Sequence, residues 1–121
     1  MAKNFRFHDW SVYKESKEIV TIIMKLVQHL PAQYRFEFGN QILRSSLSIV
    51  LNIAEGSGKG TDKDFNRFLS IALGSVNETF AAIDVFRENG LITNEEFQDV
   101  SKKLESVSNQ LGGFKKKLKK S

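Results

Sequence analysis

The chain has 121 residues, 40% hydrophobic and 26% charged, a balance that fits one folded domain with a single hydrophobic core and argues against general disorder. Cysteine is absent, which excludes disulfides, thiolate nucleophiles and sulfur-ligated metals, and His8 and His29 alone offer no zinc-ligand spacing. The formal charge of +4 belongs to the C-terminus: Lys115, Lys116, Lys117, Lys119 and Lys120 crowd the end of the chain, and without them it is close to neutral.

The opening MAKNFRFHDW lacks the apolar core of a signal peptide, and no run approaches the ~20 apolar residues that span a bilayer. A cytoplasmic chain without a membrane segment is therefore expected. Over 9–30, Val12, Ser16, Ile19, Ile23, Leu26 and Leu30 recur at spacings of three and four, with Tyr13, Val20, Met24 and Val27 beside them, which is one broad helical face. Pro31 ends that helix, because it lacks the amide a continuing helix needs and restricts the residue before it.

A second helix is expected over 37–55. After it comes NIAEGSGKG, whose glycines around Lys59 suggest a phosphate loop. The spacing excludes a P-loop, since Ile53 stands where its first glycine belongs and Gly60 where its hydroxyl residue belongs. The dinucleotide fingerprint fails too, because the glycines follow a helix and not a strand. Gly56 reads instead as a left-handed helix terminator.

Thr61 and Asp64 resemble a capping box with Asp in place of Glu and open a third helix over 62–89, carrying Phe65, Leu69, Ala72, Val76, Phe80 and Ile83 on one face and stopping near Asn89 and Gly90. Thr93 and Glu96 form a full capping box for a fourth helix over 94–118, along which Phe97, Val100, Leu104, Val107, Leu111, Phe114 and Leu118 alternate by three and four. Gly112 and Gly113 each weaken its last turns by roughly 1 kcal/mol relative to alanine, so fraying is expected there unless a neighbour holds them. With one proline and no β-alternating segment, residues 1–121 read as a single all-α domain, an antiparallel up-and-down four-helix bundle with a short lysine-rich tail.

The second helix carries a polar row. Gln41, Arg44, Ser48, Asn52 and Glu55 recur at helical spacing, while Ile42, Leu43, Leu47, Ile49, Val50, Leu51, Ile53 and Ala54 fill nearly all the remaining circumference. An enclosed arginine or glutamate needs a partner, and Ser75 and Glu78 on the third helix are candidates for a network with Arg44 and Asn52. Three readings stay open: a solvated side, a structural network within or between protomers, or a ligand or nucleic-acid site. Glu55 and Glu78 as an acid and base pair have no nucleophile or metal cluster beside them, so neither catalysis nor a cofactor is expected.

The segment LPAQYRFEFGNQILRSSLSIVLNIAEGSGK, followed by FNRFLSIALGSVNET, resembles the bacterial four-helix bundle proteins encoded within intervening sequences of 23S ribosomal RNA genes. Pro31, Gln41, Arg44, Ser48, Ile49, Asn52, Ile53, Ala54, Glu55, Gly56, Gly74, Ser75 and Glu78 match the pattern of that family in order. The family is similar to the accessory variability protein of diversity-generating retroelements, a barrel-like pentamer whose basic surface engages nucleic acid and a reverse transcriptase. The resemblance implies a homopentamer and no enzyme; this chain departs from the basic relative in being near charge balance outside its tail.

The leading expectation is a self-assembling helical scaffold, since the second helix has more apolar circumference than one internal face requires. A role with RNA or other nucleic acid would rest on Lys115, Lys116, Lys117, Lys119 and Lys120, joined by Lys3, Arg6, Lys59 and Lys63. The alternative is a protein–protein adaptor without nucleic-acid binding, for which Phe5, Phe7 and Trp10 either cover the bundle end or anchor a partner.

Overall fold

Four long amphipathic stripes become four long helices in the computed structural model, which describes residues 3–120 and the side chains from 5 to 119. A 3-10 segment, Lys3–Asp9, leads into α1 (Ser11–Gln28), α2 (Ala32–Arg35), α3 (Glu37–Ser57), α4 (Asp62–Glu88) and α5 (Asn94–Lys120). The short α2 is an addition to the sequence reading. Pro31 ends α1 as expected but also starts α2, its carbonyl accepting from the amides of Tyr34 and Arg35 at 2.9 and 3.1 Å. Pro31 is the N-cap, with an extended ψ of 144°, so its missing amide costs α2 no hydrogen bond.

Each of α1 and α4 packs against both α3 and α5, giving a four-cornered bundle. Adjacent helices run in opposite senses where side chains tie them. Gln41 and Ser48 on α3 meet Glu78 and Ser75 on α4, and Glu15 and Glu18 on α1 meet Gln110 and Lys103 on α5. The Glu18 carboxylate, hydrogen-bonded to the Lys103 ammonium at 2.9 Å, holds that lysine above its ordinary pKa. On the lysine side this tie is present at neutral pH and is lost as pH rises through the raised value.

The stripes meet in one buried cluster that includes Val12, Ile19 and Ile23 of α1, Ile42, Ile49 and Ile53 of α3, Leu69, Val76 and Ile83 of α4, and Val100, Leu104, Val107 and Leu111 of α5. Full burial of such a side chain is worth about 1.5–3 kcal/mol, so the repeated three-and-four spacing dominates the stability of the bundle. At one end Trp10 packs on Phe65 and Phe114, with ring centroids 6.1 and 5.0 Å away, and closes the core.

The caps read from sequence are present. Thr61 Oγ1 accepts from the Asp64 amide at 3.2 Å. At α5 the box is reciprocal: the Glu96 amide donates to Thr93 Oγ1 at 3.0 Å and the Thr93 amide to Glu96 Oε1 at 2.8 Å. After α4, Gly90 takes φ +71°, and the Leu91 amide returns to the Phe86 carbonyl at 2.8 Å. That positive φ is why a glycine follows Asn89.

Two sequence expectations are corrected, and a third is met through its condition. Gly56 does not terminate its helix in a left-handed conformation: α3 continues to Ser57, and Gly90 is the one positive-φ residue among those described. Gly56 is required for space, since a Cβ there would lie 2.8 Å from Phe68 Cβ and 3.0 Å from the Phe65 ring. At Gly112 and Gly113 the neighbour that the sequence reading required is present: α5 is helical to Lys120, and Lys115 bonds Asn66 and Ser70 of α4. Finally, α4 is long and apolar enough, by length and composition alone, to cross a membrane, contrary to the reading of the sequence. Only part of it is core, because Ile71, Gly74, Ala81 and Val85 face outward.

Gly56→Ala is expected to destabilise the chain by about 1–3 kcal/mol, as overpacking against a near-backbone atom does. Gly60→Ala, where a Cβ meets nothing within 4 Å, is the control, and thermal melts of the two variants check the contrast.

Candidate functional site: a polar seam and a basic end

The predicted polar row lies along the groove between α3 and α4, but not all of its members take part. Ser75 Oγ donates to Ser48 Oγ at 2.9 Å, Asn52 Nδ2 donates to the Ser48 carbonyl at 2.8 Å, and Gln41 Nε2 donates to Glu78 Oε2 at 2.9 Å. Beneath them Ser45 and Thr79, both buried, share a hydroxyl hydrogen bond of 2.9 Å, and Thr79 also donates to the Ser75 carbonyl. Ser45 and Thr79 were missed in the sequence because neighbouring apolar residues hid them. Their signal was the helical spacing of Ser45 to Ser48 and of Thr79 to Ser75.

Arg44 does not join Asn52, Ser75 and Glu78 as expected. It is exposed and makes no ion pair among the described residues, lying about 40° around the helix from Ser48. Glu55 instead pairs with Lys59 of the same helix end at 3.7 Å. Gly56, beside Glu55, sits against Phe68, which precedes Glu78 by ten residues, or about 15 Å of helix rise. Glu55 and Glu78 thus do not face each other as an acid and base. Among the described residues no group of His, Asp or Glu is placed to hold a metal ion.

The outer flanks of the seam are apolar. Leu47 and Leu51 of α3 and Ile71 of α4 are exposed, each within a helical turn of Ser48 or Ser75. Gly74 lies on the same face, and a Cβ added to it would meet nothing within 4 Å. A mid-helix glycine costs about 1 kcal/mol relative to alanine, and no packing within the protomer explains this one.

The basic candidates, scattered in the sequence, gather at one end of the bundle. Arg6 Nη2 donates to the Ser57 carbonyl at 2.9 Å, and its guanidinium lies 5.6 Å from the Trp10 ring and 5.9 Å from that of Phe65. Lys59 and Arg67 both lie over the Phe68 ring, at 5.1 and 4.5 Å. Lys63 is exposed on the first turn of α4. Lys115 reaches across to Asn66 Oδ1 at 3.0 Å and to Ser70 Oγ, so it anchors the end of α5 to α4, while Lys116, Lys117 and Lys119 stay exposed. The side chains of Lys3 and Lys120 lie outside the described residues.

Asp9, Glu55, Asp62 and Asp64 offset part of this charge, while at the opposite end Glu37, Asp84, Glu88, Glu95, Glu96 and Asp99 outnumber Lys25, Arg35 and Arg87. The near-neutral body is therefore polarised along its axis. Of the aromatic residues near the N-terminus, Trp10 covers the bundle end and Phe7 packs edge-on to Tyr13 at 4.9 Å, while Phe5 is exposed.

The described residues form an all-α bundle with a hydroxyl-lined seam between α3 and α4, and that is the class of protein the fold defines. The chain belongs to the 23S rRNA-intervening sequence protein family, whose model matches residues 8–113. It is similar to the crystal structure of a protein of unknown function from the S23 ribosomal protein family of Bacteroides thetaiotaomicron, with 30% identity and a TM-score of 0.81. That match covers 87% of this chain and 98% of the other. No curated protein matches.

Lys115→Met is expected to accelerate amide exchange over 114–119 about fivefold, as the loss of about 1 kcal/mol of local stability implies, without changing exchange at Ile49 and Ile53. Hydrogen exchange measured by residue checks it.

Proposed function

We propose that the protein is a non-enzymatic, self-assembling scaffold, with copies joined through the outer face of α3 and α4 and the basic end left to bind RNA or another nucleic acid. The observation that carries the assembly is Gly74 beside exposed Leu47, Leu51 and Ile71, a small residue in an apolar surface where a second helix has room to approach closely. Arg44, unpaired on that face, is available to a carboxylate of the neighbouring copy. The homopentamer is the assembly that the family resemblance implies.

The nucleic-acid reading is supported by the convergence of Arg6, Lys59, Lys63, Arg67, Lys116, Lys117 and Lys119 at one end. Cations grouped in this way neutralise successive phosphates and release their counterions. The adaptor reading is favoured by a different observation: Phe36 is 76% exposed at the opposite end, next to the stacked rings of Tyr34 and Phe38. Loss of a bound protein on Phe36→Ser, with no nucleic acid recovered, would support it.

Sedimentation of the purified chain at micromolar concentration is expected to give a multiple of the 13.8 kDa protomer mass. Gly74→Leu should yield monomers that keep the helical fold, read by circular dichroism, since leucine favours the helix by about 0.8 kcal/mol over glycine and its Cβ meets nothing within 4 Å. A wild-type monomer would sink the scaffold reading. For the basic end, replacing Lys116, Lys117 and Lys119 by glutamine should reduce the slope of log affinity against log salt by about 2, read by titration with labelled RNA.

A further inference from the structure

Between the 3-10 segment and the end of α3 lies a cleft of 490 Å³, lined by Phe5, Arg6, Phe7, Glu55, Gly58 and Lys59 among others. Its size falls in the range of small-ligand pockets, about 300–1,000 Å³. Phe5 stands at its lip with 51% of its surface exposed. An aromatic ring left in water is unfavourable unless something covers it, and this one is held on one flank by Phe7 and by the anchored Arg6 beside it in the chain. Phe7 meets it edge-on at 6.2 Å and is itself packed on Tyr13, while Arg6 is pinned by the Ser57 carbonyl and by the faces of Trp10 and Phe65.

The chemistry of the lining separates two parts of a ligand. Glu55 faces the cleft and pairs with Lys59 at 3.7 Å, so the interior disfavours a phosphate. A carboxylate does suit the amino groups on the edge of a base. Arg6 and Lys59 line the cleft, engaged by the Ser57 carbonyl and by Glu55 and the Phe68 ring respectively, and Lys63 and Arg67 follow along the first turns of α4. A fixed exposed ring beside a track of cations is the arrangement that stacks an unpaired base while neighbouring phosphates are neutralised. In a duplex both faces of a base are already stacked, and the ring has nothing to meet.

We infer that this cleft is a subsite for one unpaired base of a single-stranded nucleic acid, stacked on Phe5, with the flanking phosphates on Lys59 and Lys63. The inference rests on the nucleic-acid reading of the basic end and adds to it the strand state and the residue that reads it.

The test uses the full chain and labelled oligonucleotides of about a dozen nucleotides, as single-stranded RNA, single-stranded DNA and duplex. Phe5→Ala should weaken binding of the single strands about 5- to 100-fold, leaving duplex affinity and the salt slope unchanged. Phe5→Trp should restore single-strand binding and Phe5→Leu should not, which separates stacking from apolar bulk. The emission of Trp10, the sole tryptophan, should respond to single strands. The RNA and DNA arms show which sugar the subsite accepts. If Phe5→Ala leaves single-strand affinity intact, or weakens single strand and duplex alike, the subsite is overturned and the basic end stands. If the wild-type chain binds neither form at low salt, the basic-end reading falls and the subsite with it.

Discussion

The bundle depends on how closely α3 and α4 approach each other. Gly56 has no room for a Cβ against Phe68 and Phe65, and along the same groove the contacting residues are the small hydroxyls Ser45, Ser48, Ser75 and Thr79. Small side chains let two helix backbones draw together, and each hydroxyl buried by that approach must find a partner. They find it in one another and in carbonyls of the preceding turns. Close approach and polar satisfaction are thus a single solution. A larger residue anywhere along the groove would separate the helices and strand the remaining hydroxyls.

That approach also sets what the surface presents. With the small residues turned inward, the larger apolar residues of both helices divide between the core and the outer flank. Ile42, Ile49 and Ile53 enter the core while Leu47 and Leu51 remain outside. On α4, Leu69, Val76 and Ile83 are buried while Ile71 and Val85 are not. Helices apolar around most of their circumference have been given only one internal face to fill. The unfilled face, with Gly74 open in its middle, is the surface on which the proposed assembly rests.

The two ends of the bundle differ in charge for a topological reason. The N-terminal segment, the α3–α4 turn and the end of α5 all arrive at the end sealed by Trp10, Phe65 and Phe114. Each brings cations, and α5 brings its lysines as the last turn of an ordered helix, where the negative end of the helix dipole favours them. Lys115 is drawn into structural service there, bonded to Asn66 and Ser70, and so fixes the direction in which its neighbours point.

The positions of the four long helices were legible in the sequence because apolar spacing and capping chemistry are local. Val12 to Leu26, the Thr93 and Glu96 box and the Asn89–Gly90 stop all act within a turn or two of chain. The family was legible as well, since its residues recur in order along nearly the whole chain. Side-chain rotation and contact between distant segments were not. Sequence spacing put Arg44 in the same row as Ser48 and Asn52, but the groove accepts only the side chains aimed into it, and Arg44 falls just outside. Gly56 looked like a terminator because the steric reason for it, Phe68 Cβ, lies on another helix. The lysine-rich end looked loose because its anchors, Asn66 and Ser70, are equally distant in sequence. The sequence by itself determined which segments are helical and which faces are apolar, since these follow from neighbours three and four residues apart. Only the tertiary structure decided which polar groups meet, which glycine is a spacer and which cations share an end, because each depends on two helices arriving at the same place.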